Sequence, residues 1–155
     1  MDWHPRYQEE ILKTYEYHSY NAPVPNPLKR RYSTFVSFPM NVEKMREGAA
    51  YLLGEHDFVS FCNVRTSVED TVRIVKELKI EQEGPDITIR MTGNGFLYNM
   101  VRIIAGTLIR VGRGFYEPIK VKEILEAKER TQAGVTAPPE GLVLVCIEYD
   151  RARSK

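Results

Sequence analysis

The sequence predicts an α+β fold, with an antiparallel sheet that carries its helices on one face in a ferredoxin-like split βαβ arrangement. The length of 155 residues and the 43% hydrophobic content suit a single domain over residues 1–155. Short alternating segments indicate strands, and apolar residues spaced three and four apart indicate helices. The predicted order is strand, helix, strand, strand, helix, helix, strand. This order favours the fold, but a fold alone identifies no function.

The first predicted elements are a strand and a proline-rich loop. Residues 13–20 alternate and are rich in tyrosine, which favours a strand with Tyr15 and Tyr17 on one face. Residues 22–31 contain three prolines, and neither a helix nor a central strand tolerates that density. The loop ends in a basic run, which consists of Lys29, Arg30 and Arg31.

A helix and a β-hairpin are predicted next. Asn41 is a suitable N-cap, and apolar residues recur at helical spacing from 42 to 53. Between 72 and 80 the apolar residues occupy even positions and alternate with charged ones, which predicts a strand with one buried face. Turn residues at 83–86 connect it to an alternating strand at 87–92, so the two segments form an antiparallel hairpin.

Two helices and a last strand complete the predicted fold. The helices are expected at about 97–111 and about 119–129, where apolar residues again follow the helical period. The last strand covers residues 142–149. Because its first residues are apolar on both faces, we expect it to lie in the middle of the sheet.

Composition excludes several classes of protein. The net charge of +1 gives no overall attraction for a polyanion, so any nucleic-acid contact must come from local basic clusters. Cys62 and Cys146 fit no zinc-binding spacing and indicate reduced thiols in a cytoplasmic protein. The three histidines lack the spacing of a metal site, so we expect no metal. No apolar segment approaches the roughly 20 residues that cross a bilayer, so we expect no membrane partner.

Arg102 is unusual for a helical arginine. It falls opposite the apolar stripe of the predicted helix at 97–111, between Tyr98 and Gly106. Such an arginine commonly extends its head group to water or pairs with a structural carboxylate, and the residues alone leave these alternatives open. The glycines at 93–95 allow a ligand to approach the backbone, but they form no phosphate-binding motif.

Five segments together indicate a family. In chain order they are WHPRY (3–7), KTYEY (13–17), LLGEHDFVSF (52–61), GNGFLYNMVRIIAGTLIRVGRG (93–114) and ERTQAGVTAPPEGLVLVCIEY (129–149). They resemble successive blocks of the tRNA pseudouridine synthase A family, in the family's order and over nearly the whole chain. The resemblance implies the C-terminal half of the pseudouridine synthase fold.

The resemblance implies an isomerase that converts uridine to pseudouridine in the anticodon arm of tRNA, without a cofactor. In that family the catalytic aspartate lies in a Gly-Arg-Thr-Asp block upstream of the resembling region, and this chain has no such block. Aromatic and apolar residues also follow Met1 almost at once, as though the chain began inside a fold, although Met1 is equally compatible with the start of a short natural protein. We therefore expect the chain alone to be inactive and to require a missing N-terminal half.

The resemblance also assigns site residues. Tyr15 matches the tyrosine that stacks on the target base, and Arg102 matches the basic residue that pairs with the catalytic aspartate. Leu142 or Leu144 matches the apolar wall of the pocket, and the sequence does not decide between them. Each of these residues has a purely structural alternative as a sheet tyrosine, a surface arginine or a core leucine.

Contacts with the tRNA backbone would fall to local basic residues. An RNA-binding module with a related sheet is an alternative function, but the chain lacks the aromatic RNP1 block that such modules use. A dimerisation module is another alternative, and an uncovered sheet edge leads us to expect a homodimer. The candidate RNA-binding residues are Arg6, Lys29, Arg30, Arg31, Arg110 and Arg113.

Overall fold

The structure, a computed structural model, describes residues 10–63 and 70–150, and this part contains six strands and three α-helices. The α+β class is confirmed. In chain order the elements are β1 (Glu10–Asn21), β2 (Thr34–Val36), α1 (Val42–Ala50), β3 (Gly54–Asp57), β4 (Val72–Glu83), β5 (Asp86–Gly93), α2 (Met100–Gly112), α3 (Ile119–Ala127) and β6 (Leu142–Asp150).

The sheet is mixed and has β1 near its centre. The strand order is β2-β1-β5-β4-β3, and β6 also pairs with β1. β5 and β6 run antiparallel to β1, whereas the short β2 pairs with residues 19–21 in parallel. The sequence did not predict β2, because three residues are too few to display an alternating pattern.

One face of the sheet carries the helices. On β5 the buried residues Ile87, Ile89 and Met91 point to this face, and they join residues of all three helices in one core. The opposite face is polar. There Glu16 pairs with Arg90 at 2.6 Å. This division confirms the expectation that the helices lie on one face, and it places Tyr15 and Tyr17, the cross-strand partners of Met91 and Ile89, on the helical side.

β6 does not lie in the middle of the sheet, so that expectation was wrong for this chain. β6 pairs with β1 along one side, and within residues 10–63 and 70–150 no strand pairs with its other side. Several of its apolar residues consequently remain 40% to 50% exposed: Val143, Leu144, Val145 and Ile147. The sequence pattern correctly marked a strand with apolar residues on both faces, but no described strand covers its outer side.

A bulge in β4 reverses part of the predicted pattern. The register shifts between Val75 and Glu77, where one extra residue separates the pairs with Gly93 and Thr92. Before the bulge, Val75 is buried and Val72 is 39% exposed, so the even positions there do not form the buried face. An inserted residue exchanges the two faces of a strand, which explains why alternation failed here.

The helices begin and end close to the predicted positions. The N-cap of α1 is confirmed, because Asn41 Oδ1 accepts a hydrogen bond from Lys44 N at 3.1 Å. α2 begins at Met100 instead of 97, since Asn99 has a left-handed backbone with φ of 61°. Across the described residues, none of the helices combines the length and apolar character needed to cross a bilayer.

Candidate active site

Arg102 lies in the first turn of α2 and is half-buried. Its Nε donates to Ala137 O at 2.8 Å, and its Nη1 donates to Asn99 Oδ1 at 3.3 Å. Among the described residues, these bonds leave the whole of Nη2 and the second hydrogen of Nη1 unused. Within the described chain, no carboxylate forms an ion pair with Arg102. The guanidinium is therefore held through Nε and Nη1, and Nη2 can still bind an anion.

The partner of Arg102 belongs to an irregular segment, residues 133–138, which we call the strap. The strap crosses α2, and Ala137 N returns a hydrogen bond to Arg102 O at 3.0 Å. At its end, Pro138 O accepts a hydrogen bond of 2.6 Å from the Tyr17 hydroxyl. The strap thus connects the start of α2 to the buried centre of β1.

Tyr17 is the buried residue of β1 that binds the strap. Its hydroxyl donates to Pro138 O, so Thr34 Oγ1, at 2.7 Å, acts as the donor to Tyr17. Burial is the main cause that raises the pKa of Tyr17 to about 12, and Glu140 acts in the same direction. The hydrogen bond with Thr34 and the charge of Arg102 act to lower this pKa. Tyr17 remains protonated near neutral pH and keeps its donor role.

Tyr15 lies two residues before Tyr17, on the same face of β1. Its ring meets the Phe96 ring edge to face, with centroids 5.3 Å apart and an interplanar angle of 89°. Leu144 is its cross-strand partner on β6, and Leu142 is the partner of Tyr17. Leu144 is 46% exposed, whereas Leu142 packs against the core. Of the two leucines, Leu144 is therefore the one beside Tyr15 with an accessible side chain.

The arrangement has a definite chemical capacity. Tyr15, Phe96 and Leu144 offer aromatic and apolar surface on which a planar ring can pack. Arg102, linked through the strap to Tyr17, offers a fixed cation with unused donors. Guanidinium groups bind carboxylates in a planar, bidentate geometry. A carboxylate that approached Arg102 would therefore find hydrogen-bond donors that are already oriented.

The described candidate RNA-binding residues lie on two elements of the fold, the basic loop and α2 with its C-cap. Lys29 Nζ pairs with Asp86 Oδ1 at 2.7 Å, which raises the pKa of Lys29, while Arg30 and Arg31 are exposed. Arg110 and Arg113 lie instead at the C-terminal end of α2, over the rings of Phe115 at 4.9 Å and Phe38 at 3.9 Å. Arg6 lies outside the described residues.

Sequence reasoning missed the residues that hold Arg102 in place. Ala137 acts through its backbone and Tyr17 through a buried hydroxyl, and neither role produces a periodic pattern. The signals that could have indicated them are Gly106, a glycine inside a helix, and the turn residues of 134–141. A helical glycine commonly marks a place where another backbone approaches closely.

Comparison with known proteins identifies the family. Residues 49–150 match the sequence profile of a family described as tRNA pseudouridine synthase. The chain is 46% identical over 147 residues to "tRNA pseudouridine synthase A" of Brevibacillus brevis, covering 95% of this chain and 60% of the relative. It is 47% identical over 148 residues to the protein of the same name from Bacillus subtilis, covering 96% and 60%. The chain spans about 60% of the length of these relatives, and it belongs to the tRNA pseudouridine synthase family.

Proposed function

We propose that this chain supplies the C-terminal side of an active site that converts uridine to pseudouridine in the anticodon arm of tRNA. The catalytic aspartate would come from a segment outside the chain. The observation that carries the proposal is the state of Arg102, which is fixed by the Ala137 carbonyl at one edge and retains unused donors at the other. The 60% coverage of the relatives is consistent with a further segment in the complete enzyme.

Electrostatics explains why such a site needs an arginine. A nucleophilic carboxylate must remain ionised in a pocket that excludes water, although burial raises the pKa of a carboxyl group. A guanidinium about 4 Å away offsets this by roughly 4 kcal/mol at an effective dielectric constant near 20. Arg102 would supply this interaction without moving, because its Nε is already bonded to Ala137.

Stacking would hold the target base. A uridine that leaves the RNA stack loses contacts with its neighbours, and an aromatic ring typically restores about 1–3 kcal/mol per base. Tyr15 is suited to this role because it is half-buried and its ring is fixed by the edge-on contact with Phe96. Leu144 would form the apolar wall beside it, and Leu142 would support that wall from the core.

The proposal is tested by joining this chain to the part of the Bacillus subtilis relative that it does not match. The chain alone should form no pseudouridine on unmodified tRNA, and the joined protein should form it in the anticodon arm. Arg102→Gln should lower kcat by up to about a thousandfold, the equivalent of about 4 kcal/mol of lost interaction. Nucleoside analysis of digested tRNA measures the product.

Lys122→Gln is the matched control, because Lys122 is an exposed cation on α3, and it should leave kcat unchanged. Pseudouridine formed by the chain alone would contradict the proposed division of the site. Full activity of the joined protein carrying Arg102→Gln would contradict the role of Arg102.

We also propose that the basic loop contacts the tRNA backbone. Arg30 and Arg31 are exposed, and Lys29 remains close by through its ion pair with Asp86. Replacing Lys29, Arg30 and Arg31 with Gln in the joined protein should weaken tRNA binding and flatten its salt dependence, because fewer counterions are released. A filter-binding titration at several salt concentrations measures both effects.

The control is a triple variant that removes the same charge elsewhere, with Gln at Lys44, Lys122 and Lys128. It should bind tRNA like the unmodified protein. Unchanged affinity of the loop variant at physiological salt would contradict the proposal. The same titration with Arg110→Gln and Arg113→Gln tests the second basic region.

For the chain alone we propose a homodimer formed along the edge of β6 that no described strand covers. An unpaired strand edge with exposed apolar residues is a template for pairing with another chain. Light scattering should show the mass rising with concentration from 17.9 kDa towards twice that value. Ile147→Lys, which places a charge at this edge, should keep the chain monomeric.

Leu28→Lys is the control, because it introduces the same charge at an exposed apolar position far from β6 in the chain. It should dimerise like the unmodified chain. A constant monomer mass for the unmodified chain at all concentrations would contradict the proposed dimer.

A further inference from the structure

The strap lies directly on the backbone of α2. A Cβ atom on Gly106 would overlap the carbonyl oxygen of Val135, and a Cβ atom on Gly134 would lie 3.0 Å from the Cα atom of Thr107. Glycine at both positions allows the two backbones to meet without an intervening side chain. The distance between the strap and α2 is consequently set by direct contact between their backbones.

A buried hydroxyl clamps the first half of the strap. Thr107 Oγ1 accepts a hydrogen bond from Gly134 N at 2.9 Å and donates to Ile103 O at 2.9 Å. Thr107 is only 1% exposed, so water cannot reach its hydroxyl and take the place of these hydrogen bonds. Arg130 reinforces the clamp by donating to Gly134 O at 2.9 Å and to Thr136 Oγ1 at 3.1 Å.

The second half of the strap holds Arg102. Ala137 exchanges two hydrogen bonds with Arg102, one through the backbone of α2 and one through Nε of the guanidinium. Thr107 lies about 7.5 Å further along the helix axis than Arg102, at 1.5 Å per residue. The clamp and the guanidinium are therefore separate sites on one rigid helix, connected by the strap.

We infer that Thr107 is a positioning residue for the reaction. By fixing Gly134 against α2, it sets where the Ala137 carbonyl meets Nε, and so determines the plane in which the free Nη2 edge of Arg102 is presented. This inference rests on the proposed function. Its expected effect is on kcat rather than on tRNA binding, because a displacement of about 1 Å in a catalytic group can cost about 100-fold in rate.

Substitutions at Thr107 separate positioning from packing. Thr107→Val keeps the size of the side chain but removes the hydroxyl, which leaves Gly134 N without its partner. Thr107→Ser removes a methyl group but keeps both hydrogen bonds. A purely structural role in packing would make the serine variant the worse of the two, whereas positioning makes the valine variant worse.

The experiment uses the joined protein described above. Thr107→Val should lower kcat by about 10-fold to 100-fold with KM within about twofold, as expected when a catalytic group is displaced. Thr107→Ser should restore kcat to within about threefold of the unmodified protein. In nuclear magnetic resonance spectra, the Arg102 Nε–H should exchange with water faster in Thr107→Val than in Thr107→Ser.

Ile80→Val is the control for general disturbance of the core. Ile80 is a buried core residue of β4, an element that carries neither Thr107 nor any residue of the strap. It should leave kcat and the exchange of the Arg102 Nε–H unchanged. If Thr107→Val fails to fold, Arg130→Gln tests the same clamp, because it removes the bonds to Gly134 and Thr136 and leaves α2 intact. It should likewise lower kcat and speed the exchange of the Arg102 Nε–H.

Two results would overturn the inference. One is a valine variant with unchanged kcat, and the other is a serine variant impaired as severely as the valine variant. If the joined protein forms no pseudouridine at all, the proposed function fails, but the exchange rate of the Arg102 Nε–H still decides whether Thr107 orients the guanidinium.

Discussion

The two hydrogen bonds between Arg102 and Ala137 are the constraint on which the account of the site depends. One bond ties the strap to the backbone of α2, and the other fixes one edge of the guanidinium. Because α2 is part of the core and the strap also binds the Tyr17 hydroxyl, the arginine is held from a helix and a central strand at once. The positive charge is thereby held in a fixed position, and under the proposed function it would be preorganised for the catalytic carboxylate.

The outer edge of β6 and the guanidinium of Arg102 both lack a partner among the described residues. β6 presents apolar side chains beside Tyr15, and no described strand covers its outer side. Arg102 likewise has unused donors and no described carboxylate partner. Under the proposed function, the segment that supplies the aspartate to Arg102 would also be a candidate partner for this edge of β6.

Prediction from the sequence succeeded where residue type and spacing depend directly on burial or on local backbone geometry. The N-cap at Asn41 and the position of Arg102 outside the apolar stripe could be read from residue types and spacing. It failed where an irregular backbone decides the outcome. The bulge after Val75 exchanges the faces of β4 without any residue that signals it. The strap has no period, and its contact with Gly106 is visible only when α2 and residues 133–138 are placed together.

The most direct test is a crystal structure of the joined protein. An aspartate from the added segment should lie within about 4 Å of Nη2 of Arg102, as in an ion pair. The hydrogen bond between Arg102 Nε and Ala137 O should be retained. A guanidinium that faces solvent, or that has left the strap to reach the acid, would contradict the proposed role of Arg102.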